Sequence, residues 1–192
     1  MKKGKFNPRL LSTIKTVISH EIAAPRKPIL NELIKYINSK RASESEVYLN
    51  FICTHNSRRS QFCQIWAETA SAYYNKKVYC FSGGLEITEF NINAVNTIKK
   101  SGFDVIKSGS KNPTYSLYYS NSRVRPISVF SKLYNHPANK GNSFATITTC
   151  SDAEKNCPFI LNAEKRIFLK YDDPKLFDNL PNKMEKYFDC SL

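Results

Sequence analysis

Long hydrophobic runs are missing from this 192-residue sequence. A membrane-spanning helix needs about 20 consecutive apolar residues, and no segment approaches that length. The apolar stretch from Leu10 to Ile18 is interrupted by Lys15, and Ala24-Pro25-Arg26 is a poor signal-peptidase site. We therefore expect neither a membrane span nor a signal peptide, and we predict a cytoplasmic protein.

Acidic residues are scarce. Asp and Glu number 16 against 29 Lys and Arg, so the formal net charge is +13 and the pI is near 9.5. This balance favours anionic partners such as nucleic acid, acidic lipid or small oxyanions. Because the sequence contains no run of five or more Lys or Arg, the lysines equally fit an ordinary solvated surface. Nucleic acid is accordingly an unfavoured partner.

Internal repeats and low-complexity segments are also absent, which excludes repeat architectures. A chain of this length can bury a core of one domain without disulfide staples. A secreted disulfide framework is typical of much shorter chains, so the cysteines favour reactive or redox thiols. They are Cys53, Cys63, Cys80, Cys150, Cys157 and Cys190.

Hydrophobic periodicity divides the chain into two parts. Leu10 to Ile18 has helical spacing, and Pro28 opens a second helical segment. The polar stretch 38–44 predicts a linker before the first strand. We therefore expect residues 1–46 to form an N-terminal helical extension and residues 47–192 to form the main domain.

Strands and helices alternate from Val47 onward. A buried strand, Val47 to Ile52, precedes a helical pattern from Phe62 to Tyr73 and a strand from Val78 to Phe81. Later predicted elements are a helix ending at Gly102, a strand hairpin from Pro113 to Phe130, and strands at Phe144 to Thr149 and Arg166 to Lys170. The order predicts an α/β fold, a three-layer open sheet of mainly parallel strands with its site at the carboxyl edge.

The loop between the first strand and its helix has the residues for oxyanion chemistry. Cys53 lies six positions before Arg59, which Ser60 follows. A helix N-terminus and a nearby cation favour the thiolate form of a cysteine, and inward backbone N–H groups bind anions. A guanidinium can bind two oxygens of a tetrahedral oxyanion, and a serine can donate to the sulfur. The predicted oxyanion-binding residues are Thr54, His55, Asn56, Ser57, Arg58, Arg59 and Ser60.

These residues resemble the phosphate-binding loop of the low-molecular-weight phosphotyrosine phosphatases, and within that superfamily the thioredoxin-coupled arsenate reductases. The stretch from Thr149 to Pro158 resembles the two-cysteine redox segment of those reductases, and Asp172-Asp173-Pro174 resembles the general-acid loop. The resemblance runs from about Val47 to Pro174. It implies a four-stranded parallel core with flanking helices, and it makes residues 47–192 a catalytic domain.

The resemblance also implies a role for each matching residue. Cys53 is the nucleophile, Arg59 the oxyanion binder and Asp173 the general acid, while Asn56 shapes the loop. For arsenate, Cys150 would displace arsenite and Cys157 would then leave a Cys150–Cys157 disulfide for thioredoxin to reduce. The substrate is then a small oxyanion, arsenate or a phosphate ester, and no bound cofactor or metal is expected.

Departures from the family keep alternatives open. His55 replaces a usual glycine, and Gln64 replaces a glutamate that helps to hold a potassium ion, so a monovalent cation site is in question. Arg58 stands where eukaryotic-type phosphatases keep a second loop cysteine. Lys175-Leu176 also replaces the tyrosines that follow the acid loop of those phosphatases. The changes at Arg58 and at Lys175-Leu176 count against a dedicated phosphotyrosine phosphatase without excluding one. An oxyanion-binding or nucleic-acid-binding module without catalysis is the remaining alternative.

Two further expectations concern zinc binding and the C-terminal segment. The pair Cys150 and Cys157 lacks the close spacing of zinc ligands, which disfavours a structural zinc half-site. The sequence ends at Leu192, where this family continues into a closing helix. We therefore expect the C-terminal helix to be absent, and either the N-terminal helical pair covers that surface or the protein is destabilised.

Overall fold

The computed structural model describes residues 6–121, 123, 125–156 and 159–192. Its central element is a four-stranded parallel sheet in the order β2-β1-β6-β7. The strands are β1 (Val47–Cys53), β2 (Val78–Gly84), β6 (Phe144–Thr148) and β7 (Ala163–Phe168). The predicted α/β class and the four-stranded parallel core are confirmed.

Helices cover both faces of this sheet. Val47, Leu49 and Phe51 of β1 are buried on one face, against helices α2 (Lys27–Ala42) and α3 (Arg59–Tyr73). Ile52 packs on the opposite side with residues of and after helix α5 (Ser151–Asn156). Alternate side chains of a strand point to opposite faces, so β1 is buried from both sides.

A second, antiparallel sheet lies beside the first. It has the order β3-β4-β5, with β3 (Asp104–Ser108), β4 (Thr114–Tyr118) and β5 (Ile127–Val129). Strands β4 and β5 are the predicted hairpin, although Ser122 of its expected turn lies outside the described residues. Strand β3 was not predicted, because it is only partly buried and lacks a clear apolar alternation.

The N-terminal helices pack on the main domain. Helix α1 (Pro8–Ser19) buries Leu10 and Ile14 in the same cluster as Ile65 and Ile98, the latter on helix α4 (Ile92–Lys100). Helix α2 contributes Ile29, Leu30, Leu33, Tyr36 and Ile37 to the sheet face. The predicted linker at 38–44 is wrong, since α2 continues to Ala42 and thereby places Tyr36 and Lys40 against Glu164 of β7.

The C-terminal segment contains a helix, α6 (Lys183–Ser191). The expected absence of a C-terminal helix is therefore wrong. Tyr187 and Ser191, four positions apart on one helical face, are both buried, and Trp66 Nε1 donates to Ser191 Oγ at 3.0 Å. Helix α6 packs against α4, while α2 covers the sheet face near β7.

The carboxyl ends of β1, β2 and β6 meet at one edge of the sheet. Ile52 is level with Thr148, and Cys53 is level with Gly84. A side chain at Gly84 would come within 2.8 Å of the Asn56 backbone nitrogen and the Thr54 carbonyl oxygen. Glycine here permits β2 to support the loop that follows β1. Within the described ranges, no helix is long and apolar enough to cross a membrane.

Candidate active site

The Cys53 sulfur is the end point of a short hydrogen-bond relay. Cys53 is 3% exposed, and its Sγ lies 3.0 Å from Ser60 Oγ. Asn56 Nδ2 donates to the same Ser60 oxygen at 2.8 Å. Since the serine oxygen accepts from Asn56, its own proton is available to the sulfur. This arrangement stabilises a thiolate and its departure.

Asn56 shapes the loop from inside. It is fully buried and has a φ of 48°, a left-handed conformation that asparagine adopts more readily than most residues. Its Oδ1 accepts from the backbone nitrogen of Lys132 at 3.0 Å, and Gln61 Nε2 donates to its carbonyl oxygen at 3.1 Å. His55, at the position of the usual glycine, does not have a positive φ, and the left-handed residue of the loop is its neighbour Asn56.

The loop backbone is free to bind an anion. Among the residues that the structure describes, none accepts a hydrogen bond from the backbone N–H groups of Thr54 to Arg59. The carbonyl groups are held instead: His55 O accepts from Thr88 Oγ1 and Ser131 Oγ. Fixing the carbonyls outward leaves the N–H groups for a ligand, as in other anion nests.

Two side chains of the loop point away from the sulfur. Ser57 Oγ donates to the carbonyl of Glu89 at 2.6 Å. His55 is half-exposed, and its Nε2 lies 3.4 Å from Glu86 Oε2. These two side chains are thus held by partners outside the loop, whereas the Thr54 hydroxyl lies 3.6 Å from Cys150 Sγ.

Arg59 and Asp173 form an ion pair beside the loop. Arg59 Nη2 lies 2.7 Å from Asp173 Oδ2, and Nη1 donates to the carbonyl of Tyr171 at 3.4 Å. The other oxygen of Asp173 accepts from the backbone nitrogen of Lys175, which caps a 3-10 turn at Pro174–Phe177. The structure therefore brings together the predicted oxyanion binder and general acid, both close to the loop.

The Arg58 side chain joins a different cluster. Its Nη2 lies 3.0 Å from Asp178 Oδ2, and its Nε donates to Tyr187 Oη at 2.8 Å. Tyr187 in turn donates to Asp178. Burial would raise the pKa of Asp178, but hydrogen bonds from Tyr187 and Asn93 and the charge of Arg58 lower it overall. The Arg58 guanidinium is therefore held by Asp178 and Tyr187.

Cys150 lies against the same loop. It is 1% exposed, it shares a buried cluster with Cys53 and Ile52, and its Sγ lies 3.6 Å from Thr54 Oγ1. The parallel pairing of β1 with β6 produces this proximity, since Cys53 is the last residue of β1 and Cys150 lies two residues beyond the end of β6. Cys157 lies outside the described residues.

The remaining described cysteines are poor nucleophiles. Burial raises the pKa of Cys63 to about 12 and raises the pKa of Cys80 well above its ordinary value. Burial, followed by the charges of nearby acidic residues, also raises the pKa of Cys190. These shifts agree with the absence of a predicted role for the three thiols.

The Gln64 side chain is held by two hydrogen bonds. Its Oε1 accepts from Ser82 Oγ at 2.7 Å, and its Nε2 donates to the Ser128 carbonyl at 3.4 Å. Nearby, burial raises the pKa of Glu68 to about 7 and lowers the pKa of Lys132 to about 8. Within the described ranges, no group of three or more His, Cys, Asp or Glu could hold a metal ion.

Known proteins are similar to this chain in sequence and in fold. An arsenate reductase of Staphylococcus aureus (strain Newman) is 32% identical over 124 residues, which cover 65% of this chain and 76% of that protein. The chain belongs to the arsenate reductase family. Arsenate reductase 2 of Staphylococcus epidermidis is 27% identical with the same coverage. No protein-family model matches the chain.

A solved structure shares the fold of this chain. The low-molecular-weight protein tyrosine phosphatase from T. tengcongensis superimposes with a TM-score of 0.52 at 16% identity, covering 76% of this chain and 90% of that one. This match shows a shared fold. The predicted arsenate reductase family is confirmed by the sequence match, and the predicted fold by this superposition.

Several residues of this arsenate reductase site were missed in the sequence. Gln61, Lys132, Asp178 and Tyr187 all contact the loop or its side chains. A local signal existed only for Lys132, the single charged residue in the stretch from Ile127 to Leu133. Asp178 and Tyr187 carry no such signal, because their partner Arg58 is more than a hundred positions away.

Proposed function

We propose that this protein reduces arsenate to arsenite with a three-cysteine relay. The observation that carries the proposal is the position of Cys150, whose sulfur lies 3.6 Å from the Thr54 hydroxyl of the loop that holds Cys53. A phosphatase reaction needs only the nucleophile, the anion site and the acid. A second thiol beside the loop has a use when the covalent intermediate must be reduced.

Substrate binding follows from the loop and from Arg59. The arsenate oxygens would accept hydrogen bonds from the backbone N–H groups of Thr54 to Arg59, and the guanidinium would bind two of them. Arg59 must then share or release Asp173, its partner at 2.7 Å. This exchange would deliver Asp173 next to the oxygen that has to leave.

In the first chemical step, the Cys53 thiolate attacks arsenic and a sulfur–arsenic bond forms. An arsenic–oxygen bond breaks, and Asp173 supplies a proton so that the oxygen leaves as water. Ser60 donates its hydrogen bond to the attacking sulfur throughout. Arsenic remains in the pentavalent state at the end of this step.

Reduction takes place in the second step. The Cys150 thiolate attacks the sulfur of Cys53, a disulfide forms, and the sulfur–arsenic electron pair leaves with arsenic as trivalent arsenite. Cys157 then attacks Cys150, which releases the Cys53 thiolate and leaves a Cys150–Cys157 disulfide. An external dithiol must reduce this disulfide, and we propose thioredoxin for that role.

The compartment follows from the same chemistry. A relay of three free thiols requires surroundings that keep cysteines reduced, and cytoplasmic glutathione and thioredoxin do so. The described cysteines are all free thiols. We therefore propose a cytoplasmic enzyme whose partners are a small oxyanion and thioredoxin, without a nucleic-acid or membrane partner.

The test measures arsenate-dependent NADPH oxidation in the presence of thioredoxin and thioredoxin reductase. Cys150→Ser and Cys157→Ser should each abolish steady-state reduction, whereas the matched control Cys190→Ser should retain it. Aryl phosphate hydrolysis should survive in all three variants, because it needs neither redox thiol. Arsenate reduction that persists in Cys150→Ser would contradict the relay.

A phosphatase is the second candidate, and the Arg59–Asp173 pair beside Cys53 favours it equally. These three groups suffice for a phosphocysteine intermediate and its hydrolysis. Hydrolysis of aryl phosphate by the wild type without any arsenate turnover would select this function over reduction.

A further inference from the structure

A small pocket lies on the face of the central sheet opposite to helix α3. Its volume is about 270 Å³, which suits a molecule of one or two rings. Strands β1, β2 and β6 contribute Asn50, Phe81 and Phe144, and the other walls come from the segments 134–140 and 159–161. None of the residues 53–60 lines it, so the pocket is distinct from the oxyanion loop.

Asn50 presents an unpaired acceptor to this pocket. Its side chain is buried, with 3% of the residue exposed, and its Nδ2 donates to the Tyr134 carbonyl at 3.0 Å. Its Oδ1 is buried and has no hydrogen-bond partner among the described residues. An unpaired buried acceptor costs about 1–3 kcal/mol, so this oxygen calls for a donor from outside the chain.

Asn139 presents a second unpaired acceptor beside the first. Its Nδ2 donates to the carbonyls of Ser82 and Tyr134, both at 3.0 Å, and its Oδ1 is buried without a partner among the described residues. Rotating either carboxamide by half a turn would set its oxygen against a carbonyl oxygen, so both orientations are fixed. The two carboxamides share the Tyr134 carbonyl oxygen and are therefore neighbours.

The walls of the pocket favour an aromatic occupant over water. Phe81, Phe144 and Phe159 line it, together with Leu161. Phe159 is 85% exposed and Leu161 is 73% exposed. An apolar ring would remove part of this surface from water, which is favourable, whereas water in the pocket gains nothing from these side chains.

The polar residues select the chemical class of the occupant. The unpaired oxygens of Asn50 and Asn139 accept two N–H groups, while the exposed Lys140, which also lines the pocket, only donates. A primary amide has two N–H donors and one acceptor oxygen, so it complements all three residues. A cationic donor would be repelled by the Lys140 ammonium, and a carboxylate has no donor for the asparagines.

We propose that this pocket is a binding site for a small aromatic primary amide. The amide N–H groups donate to Asn50 and Asn139, the amide oxygen faces Lys140, and the ring lies among the phenylalanines. The site does not depend on the proposed reduction of arsenate.

The pocket adjoins the two thiols of the proposed relay. Tyr134, Phe144 and Ile160 line the pocket and also pack in the cluster that contains Cys53 and Cys150. An occupant would therefore contact the packing behind both thiols without contacting the oxyanion loop.

The experiment compares two probes of nearly the same shape, benzamide and acetophenone. Acetophenone has a methyl group in place of the amide nitrogen, so it keeps the ring and the oxygen and lacks both N–H donors. Titration of the 15N-labelled full chain, followed by NMR on the carboxamide signals of Asn50 and Asn139, gives a Kd for each probe. Benzamide should bind at least about fivefold more tightly than acetophenone, which is the effect of about one net hydrogen bond.

Substitutions locate the binding site. Leucine has nearly the shape of asparagine and no acceptor, so Asn50→Leu and Asn139→Leu should each weaken benzamide binding at least about fivefold and leave acetophenone binding unchanged. The control is Asn38→Leu, at an exposed position of helix α2, which should bind benzamide as the wild type does.

Three results would overturn the proposal. They are equal binding of benzamide and acetophenone to the wild type, no binding of benzamide up to its solubility limit, and unchanged benzamide binding in folded Asn50→Leu and Asn139→Leu. The second result would mean that the pocket holds only water. The comparison of the two probes on the wild type remains decisive even if both variants fail to fold.

Discussion

The guanidinium of Arg59 and the carboxylate of Asp173 hold each other at 2.7 Å, at the edge of the loop that contains Cys53. The oxyanion binder and the proton donor of the proposed reaction are therefore mutual partners. Binding of an oxyanion must compete with Asp173 for the same guanidinium. Removal of the Asp173 carboxylate should therefore strengthen oxyanion binding and slow the chemical step.

Asp173→Asn should bind phosphate several-fold more tightly, because Arg59 loses its competing carboxylate and the oxyanion loses a repelling one. The same change should lower the rate of aryl phosphate hydrolysis by about 100-fold or more, since no acid remains to protonate the leaving oxygen. Inhibition by phosphate and the hydrolysis rate measure the two effects. Asp172→Asn, at the exposed neighbouring position, is the control. Weaker phosphate binding in Asp173→Asn would mean that the carboxylate orients Arg59 for binding.

Ser60→Ala should slow the alkylation of Cys53 by iodoacetamide at neutral pH about 3- to 10-fold. The reason is the loss of the hydroxyl donor 3.0 Å from the sulfur, a hydrogen bond worth about 1 kcal/mol or more. Mass spectrometry of the Cys53 peptide follows the reaction. Ser57→Ala is the matched control, because that hydroxyl donates to the Glu89 carbonyl. Equal alkylation rates in Ser60→Ala and the wild type would show that the serine does not stabilise the thiolate.

Glu68→Gln should change how stability depends on pH. The folded-state pKa of Glu68, about 7, lies above its ordinary value of 4.5, so its contribution to the free energy of unfolding is present below about pH 4.5 and lost as the pH rises through about 7. Between these values the wild type should lose about 1–3 kcal/mol relative to Glu68→Gln. Lys132, with a pKa of about 8, stays protonated over most of this range.

Urea denaturation of both proteins at several pH values measures this difference. The exposed Glu21→Gln serves as the control and should follow the wild type. Parallel pH profiles for wild type and Glu68→Gln would mean that Glu68 is already ionised in the folded protein at low pH. The attraction between Glu68 and Lys132 would then outweigh the effect of burial on the pKa of Glu68.

Parts of this site could be predicted because their signal is local. Cys53, Arg59 and Ser60 fall within one strand–loop–helix unit, where apolar periodicity marks both flanking elements. Cys150 was predicted from a contiguous motif, and its approach to the loop follows from the pairing of two neighbouring strands. Short-range pattern and sheet topology together were sufficient for these residues.

Long-range pairs escaped prediction for the opposite reason. Whether Arg58 meets an oxyanion or Asp178 depends on how the C-terminal segment returns to the loop, and nothing near Arg58 in the sequence specifies that path. The same holds for α6, which packs on α4 while α2 covers the sheet. Burial of Lys132 likewise became visible only when Glu68 and the loop were seen around it.

Tyr187→Phe should destabilise the protein by about 1–2 kcal/mol without unfolding α6. Tyr187 is fully buried, and its hydroxyl accepts from Arg58 Nε and donates to Asp178. Phenylalanine keeps the packing but leaves Arg58 Nε without this acceptor, which carries the cost of an unmade buried hydrogen bond. Urea denaturation measures the loss, and the exposed Tyr74→Phe is the matched control. In Tyr187→Phe, Arg58 keeps its ion pair with Asp178 at 3.0 Å. Asp178→Asn removes the charge of this pair and should therefore lower the free energy of unfolding more than Tyr187→Phe does. If instead Tyr187→Phe and Tyr74→Phe were equally stable, the C-terminal helix would be held by apolar packing alone, and the hydroxyl would contribute nothing to its attachment beside the active-site loop.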